Sequence, residues 1–246
     1  MSKQKQEIIF GIRAVIEAIN KEMEIEKILL KKGSRGELFN ELFKLIRDKD
    51  IPFQYVPIEK INSEAKGNHQ GAMAYISPVA YADINEIVEE KLARGEKPVI
   101  LLLDRITDVR NFGGIARTAE CAGVDAIIIP IKHSAKINPD SIKTSAGALH
   151  SIPVCKVKNL KRVTKELKFK GFKIVAATEK ADKYYYDADF TEPTVIIMGA
   201  EDTGIAEDLL NVTTEQVKIP INGKIESLNV SVAASIFMYE VVKQRM

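Results

Sequence analysis

Apolar residues are spaced in two different ways along this chain, and the change of spacing divides it. After Gly11, Ile12, Val15, Ile16 and Ile19 fall at i, i+3, i+4 and i+7, which predicts a helix. Lys27–Lys31 predicts a short strand. Leu38, Phe39, Leu42, Phe43 and Ile46 predict a second helix, and Pro52–Val56 and Ala72–Ile76 predict further strands. Together they make a small α/β unit over residues 1–80. The pattern switches near Ser77–Asp83. Ile84, Ile87, Val88 and Leu92 then mark an acidic amphipathic helix, read as a linker over residues 81–96.

From residue 97 to 246 the apolar runs become nearly continuous. Strands are expected at Val99–Leu103, Ala126–Pro130, Ile152–Val157, Phe172–Ala177, Thr194–Met198 and Val217–Ile219. Helices are expected between several of them, at Phe112–Ala122, Asn159–Phe169 and Ala206–Leu210. β-branched runs alternating with helices predict a mostly parallel sheet covered on both faces, hence an α/β domain. The last helix, Leu228 to Gln244, carries two apolar stripes. One is Val230, Ala233, Ala234, Phe237, Met238 and Val241; the other is Val232, Ile236 and Tyr239. A helix apolar on more than one side needs more than one partner, either its own core throughout or the sheet and a second subunit.

Composition adds little beyond a globular chain: 246 residues, 46% hydrophobic and 28% charged. The net charge is only +2, with 13 Lys and Arg against 11 Asp and Glu up to residue 80, and 23 against 23 after it. That balance neither demands nor excludes nucleic acid, so any basic surface must come from local clustering. Met1 to Glu7 is polar, and the longest apolar runs are far too short to span a bilayer, so a cytoplasmic protein without a membrane anchor is expected. Cys121 and Cys155 lie in apolar segments without metal-ligand spacing and are expected to be buried free thiols. His133 and His150 are isolated, and no metal site is expected.

Three loops carry chemistry. Asp104 to Arg117 follows a strand and opens a helix, where two glycines allow close backbone approach and free N–H groups favour an anion. The G-x-G-x-x-G fingerprint is absent, and a solvent-facing turn with ordinary charged residues is the alternative for this loop taken alone. Met198 to Gly204 also follows a buried strand. Gly199 and Gly204 have phosphate-loop spacing, but Ile205-Ala206 replaces the Lys-Ser/Thr pair that a Walker motif requires. A glycine at the strand end leaves room for a ligand against the backbone. In Ile219 to Ala233, Ser227, Asn229 and Ser231 exceed what capping one helix needs.

Taken together, the three loops resemble the motifs of the SpoU-type RNA methyltransferases of the SPOUT superfamily. Asn111, Gly113 and Arg117 match the first motif, Gly199, Glu201 and Gly204 the second, and Pro220 with Ser227 to Ser231 the third. The resemblance runs from Lys97 to the C-terminus. The stretch from Phe10-Gly11 to His69-Gln70-Gly71 resembles the family's RNA substrate-binding domain, a fold shared with some ribosomal proteins. The resemblance implies a SPOUT domain with a deep trefoil knot, a homodimer through that domain, and S-adenosylmethionine as cofactor. It places the cofactor against Thr178, Glu179, Gly199, Ile219 and Leu228, and implies roles in catalysis for Arg117, Asn111, Glu201, Ser227 and Asn229. The implied reaction is 2′-O-methylation of a ribose, most closely that of a guanosine in large-subunit rRNA. A tRNA acceptor, or a silent RNA-binding assembly factor on the same fold, are the alternatives. A general-base role for Arg117 conflicts with the high pKa of guanidinium, so a clamp on the acceptor phosphate is the easier role.

Overall fold

The computed structural model describes residues 7–246, so all of the polar N-terminal stretch except Glu7 lies outside the described residues. The chain divides into two compact units, one reaching to Ala80 and including Ile137–Pro139, the other formed by Tyr81–Lys136 and Asp140–Met246.

In the first unit, β1 (Ile8–Phe10), β2 (Ile25–Lys31), β3 (Phe53–Val56) and β4 (Ala72–Ile76) form a sheet in the order β1-β4-β2-β3. Only β2 and β3 pair in parallel. Alternation along β2 sends Ile28 and Leu30 to one face, against α1 (Ile12–Asn20) and α2 (Glu37–Asp48), and Leu29 to the other, with Ile61 of α3 (Ile58–Glu64). The unit is thus a sheet between helical layers. Its His69-Gln70-Gly71 turn is held by an imidazole: Nδ1 accepts from the Gly71 N–H at 3.0 Å. The ring proton therefore sits on Nε2, which donates to Asn62 Oδ1 at 2.7 Å.

The second unit holds β5 (Val99–Leu103), β6 (Ala126–Pro130), β7 (Val154–Val157), β8 (Lys173–Ala177), β9 (Thr194–Met198) and β10 (Glu215–Val217). They form one six-stranded sheet in the order β10-β8-β9-β5-β6-β7, every pair parallel. Ile100, Leu102, Ile128, Ile174 and Ile197 meet α4 (Ile84–Ala93) and α7 (Leu160–Phe169) in one core. The helix read as a linker, α4, buries Ile84 and Val88 there. Elsewhere in this unit, α5 (Val109–Cys121) packs on α9 (Val230–Arg245), which also touches β9. Two short helices, α6 (Pro139–Thr144) and α8 (Glu207–Leu210), complete it. Because all six strands run the same way, the loops that follow them emerge on one rim.

Two expectations need correction. The last strand is Glu215–Val217 rather than Val217–Ile219, since its ladder with β8 begins at Glu215↔Val175 and stops at Val217↔Ala177. Cys121 is exposed, and only Cys155 is buried. Phe112, Ile115, Ala116 and Ala119 form the inward stripe of α5, and Cys121 falls off it at the helix end. The two stripes of α9 differ in burial, although Ala233 of the first and Ile236 of the second are both half-buried. Val230, Ala234, Phe237, Met238 and Val241 are buried, whereas Val232 and Tyr239 are about half exposed. No helix among the described residues is long and apolar enough to cross a membrane.

Candidate active site

Three of the rim loops are fastened together by one carboxylate. Asp108 caps α5, its Oδ1 accepting from the Arg110 and Asn111 N–H groups, which sets Asn111 in the first helical turn. Asn229 caps α9, its Oδ1 accepting from the Ser231 N–H at 3.0 Å and the Ser231 hydroxyl at 2.6 Å. Between the two helix starts lies Glu201, from the loop after β9. Its Oε1 accepts from Asn111 Nδ2 at 2.9 Å and from Asn229 Nδ2 at 2.9 Å, and the Val230 N–H approaches it at 3.4 Å. Asn229 Nδ2 also donates to Asn111 Oδ1 at 3.0 Å. Asn111, Glu201 and Asn229, far apart in sequence, are one hydrogen-bonded cluster.

The glycines of these loops serve packing. A Cβ on Gly113 would lie 2.7 Å from the Cβ of Thr144, so this residue lets α6 sit against α5. With the first N–H groups of α5 taken by Asp108, the anion reading of this helix start loses its donors. A Cβ on Gly199 would meet the carbonyl carbon of Gly204 at 2.3 Å and the Ile205 nitrogen at 2.4 Å. Closure of its own loop, in which the Gly204 N–H donates to the Ala200 carbonyl, is therefore enough to require a glycine at 199.

One residue of weight was overlooked in the sequence. Asp104 is buried at the end of β5, where Oδ2 accepts from the Ala206 N–H at 2.8 Å. Both its oxygens accept from the Arg105 guanidinium, which also donates to the Gly204 carbonyl at 3.1 Å. These bonds offset the left-handed backbone of Arg105 (φ 59°), a conformation that costs an L-residue about 1 kcal/mol. The signal was present: a carboxylate directly after the all-apolar run Val99–Leu103 needs a buried partner.

Two clefts adjoin at Glu201. The first is walled by Thr178, Glu179, Gly199, Ile219 and Leu228, the five residues expected around the cofactor, with Ser227 and Glu201 also in its lining. Val217, Ile219, Leu228 and Phe237 offer an apolar seat for a planar base, while Glu179, Glu201 and Glu226 face a single lysine, Lys218. A lining with more carboxylates than cations suits a cationic sulfonium and disfavours a polyphosphate. S-adenosylmethionine fits these residues. The second cleft is lined by Arg105, Thr107, Asp108, Asn111, Asp202 and Val230, among others, and shares Ala200, Glu201 and Val230 with the first. Arg117 lines neither. Six residues beyond Asn111 on α5, it is about 9 Å along the axis and turned about 120° away. It is exposed and has no ion-pair partner among the described residues.

Residues 98–239 match the family model described as the SpoU rRNA Methylase family, and residues 8–82 match RNA 2'-O ribose methyltransferase substrate binding. A protein of Staphylococcus saprophyticus assigned to the TrmH family of tRNA/rRNA methyltransferases is 37% identical over 97% of this chain and 96% of its own. Among solved structures, the SpoU methyltransferase AviRb of Streptomyces viridochromogenes, in complex with the cofactor AdoMet, has a TM-score of 0.62 at 24% identity, covering 97% of this chain and 90% of that one. The TrmH/SpoU tRNA modifying enzyme of A. aeolicus is 30% identical over 65% of this chain and 84% of its own, with a TM-score of 0.57. This chain belongs to the SpoU family of RNA methyltransferases. Its cofactor is S-adenosylmethionine.

Proposed function

We propose that the protein methylates the 2′-hydroxyl of a ribose in RNA, with a guanosine of large-subunit rRNA as the expected acceptor. The observation that carries this reading is the Asn111–Glu201–Asn229 cluster on the wall between two adjoining clefts. S-adenosylmethionine supplies an electrophilic methyl group on its sulfonium. The first cleft holds that cofactor through Thr178, Glu179, Gly199, Ile219 and Leu228. Asn111, Glu201, Ser227 and Asn229 fix the loops so that the hydroxyl approaches in line, and positioning of this kind is worth roughly 7–11 kcal/mol for well-oriented reactants. Arg117 serves as an electrostatic clamp on the acceptor phosphate, since a guanidinium does not release a proton near neutral pH. That role requires the acceptor strand to pass over the outer face of α5. The trefoil knot and a homodimer through α9, with Val232 and Tyr239 at the contact, belong to the same proposal. Light scattering of the intact protein tests the dimer.

The assay is transfer of labelled methyl from S-adenosylmethionine to unmodified rRNA and tRNA, followed by mapping of the modified nucleotide. The tRNA pool is included because relatives named for tRNA share this fold. A single 2′-O-methyl site in rRNA is the expected result. A modified base, or no transfer to any RNA by cofactor-loaded protein, overturns the reading. Arg117→Ala should keep RNA binding and lose turnover.

A further inference from the structure

The near-neutral net charge conceals a strongly uneven distribution. Residues 131–170 hold ten Lys or Arg against two Asp or Glu, a local charge of +8 in a chain whose total is +2. Residues 171–246 hold seven against twelve. The fold gives this imbalance a direction. The basic segment builds the end of β6, the edge strand β7 and helix α7, while the acidic remainder builds β8, β9 and β10 on the other side of β5. The basic segment therefore lies on the β6–β7 side of β5, where the acidic helix α4 also packs and pairs Glu89 with Lys170.

Along the β7 edge runs an open groove whose walls include Tyr81, Lys156, Lys158, Asn159 and Arg162. The Lys156 ammonium stands 4.0 Å over the Tyr81 ring. Two carboxylates also face the groove, and both are engaged: Asp83 caps α4 through the Asn85 N–H, and Glu166 pairs with Arg162. Next to it, Lys132 follows Ile131, whose N–H donates to the Val157 carbonyl, and is exposed with no ion-pair partner among the described residues. The loop bearing Lys132 and the turn bearing Lys158 leave the same rim as the active-site loops, because β6 and β7 run parallel to β5. Two strand spacings separate β7 from β5, about 10 Å. That span equals about three nucleotides of a helical strand.

We propose that this electropositive edge of the methyltransferase unit is an RNA track. Phosphates flanking the acceptor nucleotide lie against Lys132, Lys158 and Arg162, and an unpaired base stacks on Tyr81, the mixture of cations and an aromatic face that single-stranded RNA favours. The partner is RNA because the surface is positive, grooved and continuous with the rim that holds the site. The negative β8–β10 side is left to the cationic cofactor. The inference rests on the reading of the protein as an RNA methyltransferase and adds where the substrate runs.

The test is the salt dependence of binding of a fluorescein-labelled 30-nucleotide single-stranded RNA to the full chain, followed by anisotropy. Each phosphate contact contributes about 0.7–0.9 to the slope of log affinity against log salt. Lys132→Gln/Lys158→Gln/Arg162→Gln should flatten that slope by about 2–3, so that between about 50 and 200 mM salt the unaltered protein loses roughly 20- to 40-fold more affinity than the variant. Melting temperature and S-adenosylmethionine binding should not change. The control Arg94→Gln/Lys97→Gln/Lys243→Gln removes the same charge at the opposite end of the strands and should leave the slope as it was. Equal slopes in both triple variants would overturn the track. Lower affinity in both by the same factor would overturn it too, since it would assign binding to net charge alone. Failure of the unaltered protein to methylate RNA would count against the proposed function, a separate outcome read in a separate assay.

Discussion

Asn229 performs two tasks at once, and two substitutions separate them. Its carbonyl oxygen caps α9, and its amide nitrogen bridges Asn111 and Glu201. Asn229→Ala removes both. Loss of the cap costs about 1 kcal/mol. Loss of two hydrogen bonds, one to a carboxylate, costs about 1 kcal/mol more at this exposed site, where water recovers part of the interaction. A total of about 2 kcal/mol in a unit of this size lowers the melting temperature by about 4–8 °C. Asn229→Ser keeps a good capping oxygen but has no amide to donate, so about half of that loss should return. Turnover should not return. Both variants should fall on the order of 100-fold in kcat, the penalty expected when a reactive geometry slips by about 1 Å. Calorimetry reads the first quantity and labelled-methyl transfer the second. If Asn229→Ser recovers turnover together with stability, the bridge is only scaffolding and the reasoning fails.

Other expectations follow from groups away from the site. Burial alone would push the Glu215 carboxyl up, but the ammonium groups of Lys183, which donates a hydrogen bond, and Lys173, which pairs with it, outweigh that and hold the group below the ordinary glutamate range. The stability it contributes is present above the unfolded-state pKa of 4.5 and is lost as pH falls through the lower folded value. Thermal melts of Glu215→Gln across acid pH should therefore show a flatter decline than the parent. Burial pushes the Cys155 thiol up to about 12, whereas Cys121 is exposed. Iodoacetamide at neutral pH should add one group to the folded protein, at Cys121, and two after denaturation, as read by mass spectrometry. The Arg245 guanidinium donates to the carbonyls of Lys97, Phe190 and Glu192, tying the end of α9 to two loops. Arg245→Ala should cost about 2–4 kcal/mol in chemical unfolding, and Arg245→Lys should recover little because an ammonium cannot span three carbonyls in that geometry.

The buried strands were legible because a parallel strand covered on both faces is apolar at every position. Val99–Leu103, Ala126–Pro130 and Thr194–Met198 were read to the residue. The edge strand β10 was misplaced because it opens with Glu215 and Gln216, polar residues that an edge tolerates and a central strand does not. β1, at three residues, is too short for periodicity to register. The segments Ile58–Glu64 and Pro139–Thr144 carry too few apolar positions to mark a face, so α3 and α6 went unseen. At the site, the residues were found through their motifs, but their bonding was not. Nothing in spacing says that Glu201 accepts hydrogen bonds from Asn111 and Asn229, or that Gly199 answers to Gly204 and Ile205. The basic edge was hidden by summation, since totals over 80 or 166 residues average a +8 segment against its acidic neighbours.

The buried Asp104 has a kinetic consequence. Its bonds to Ala206 and Arg105 join the end of β5 to the loop after β9, so these two walls move only together, and only by stripping a carboxylate of its partners. The third wall is built otherwise. From Ile221 to Asn229 every residue is exposed, and no residue from Ile219 to Leu228 donates a backbone hydrogen bond to another backbone group among the described residues. Amide exchange should therefore be faster across 219–228 than in the loops tied by Asp104, and a small molecule in the first cleft should come and go by way of the 219–228 segment while the other two loops keep their shape.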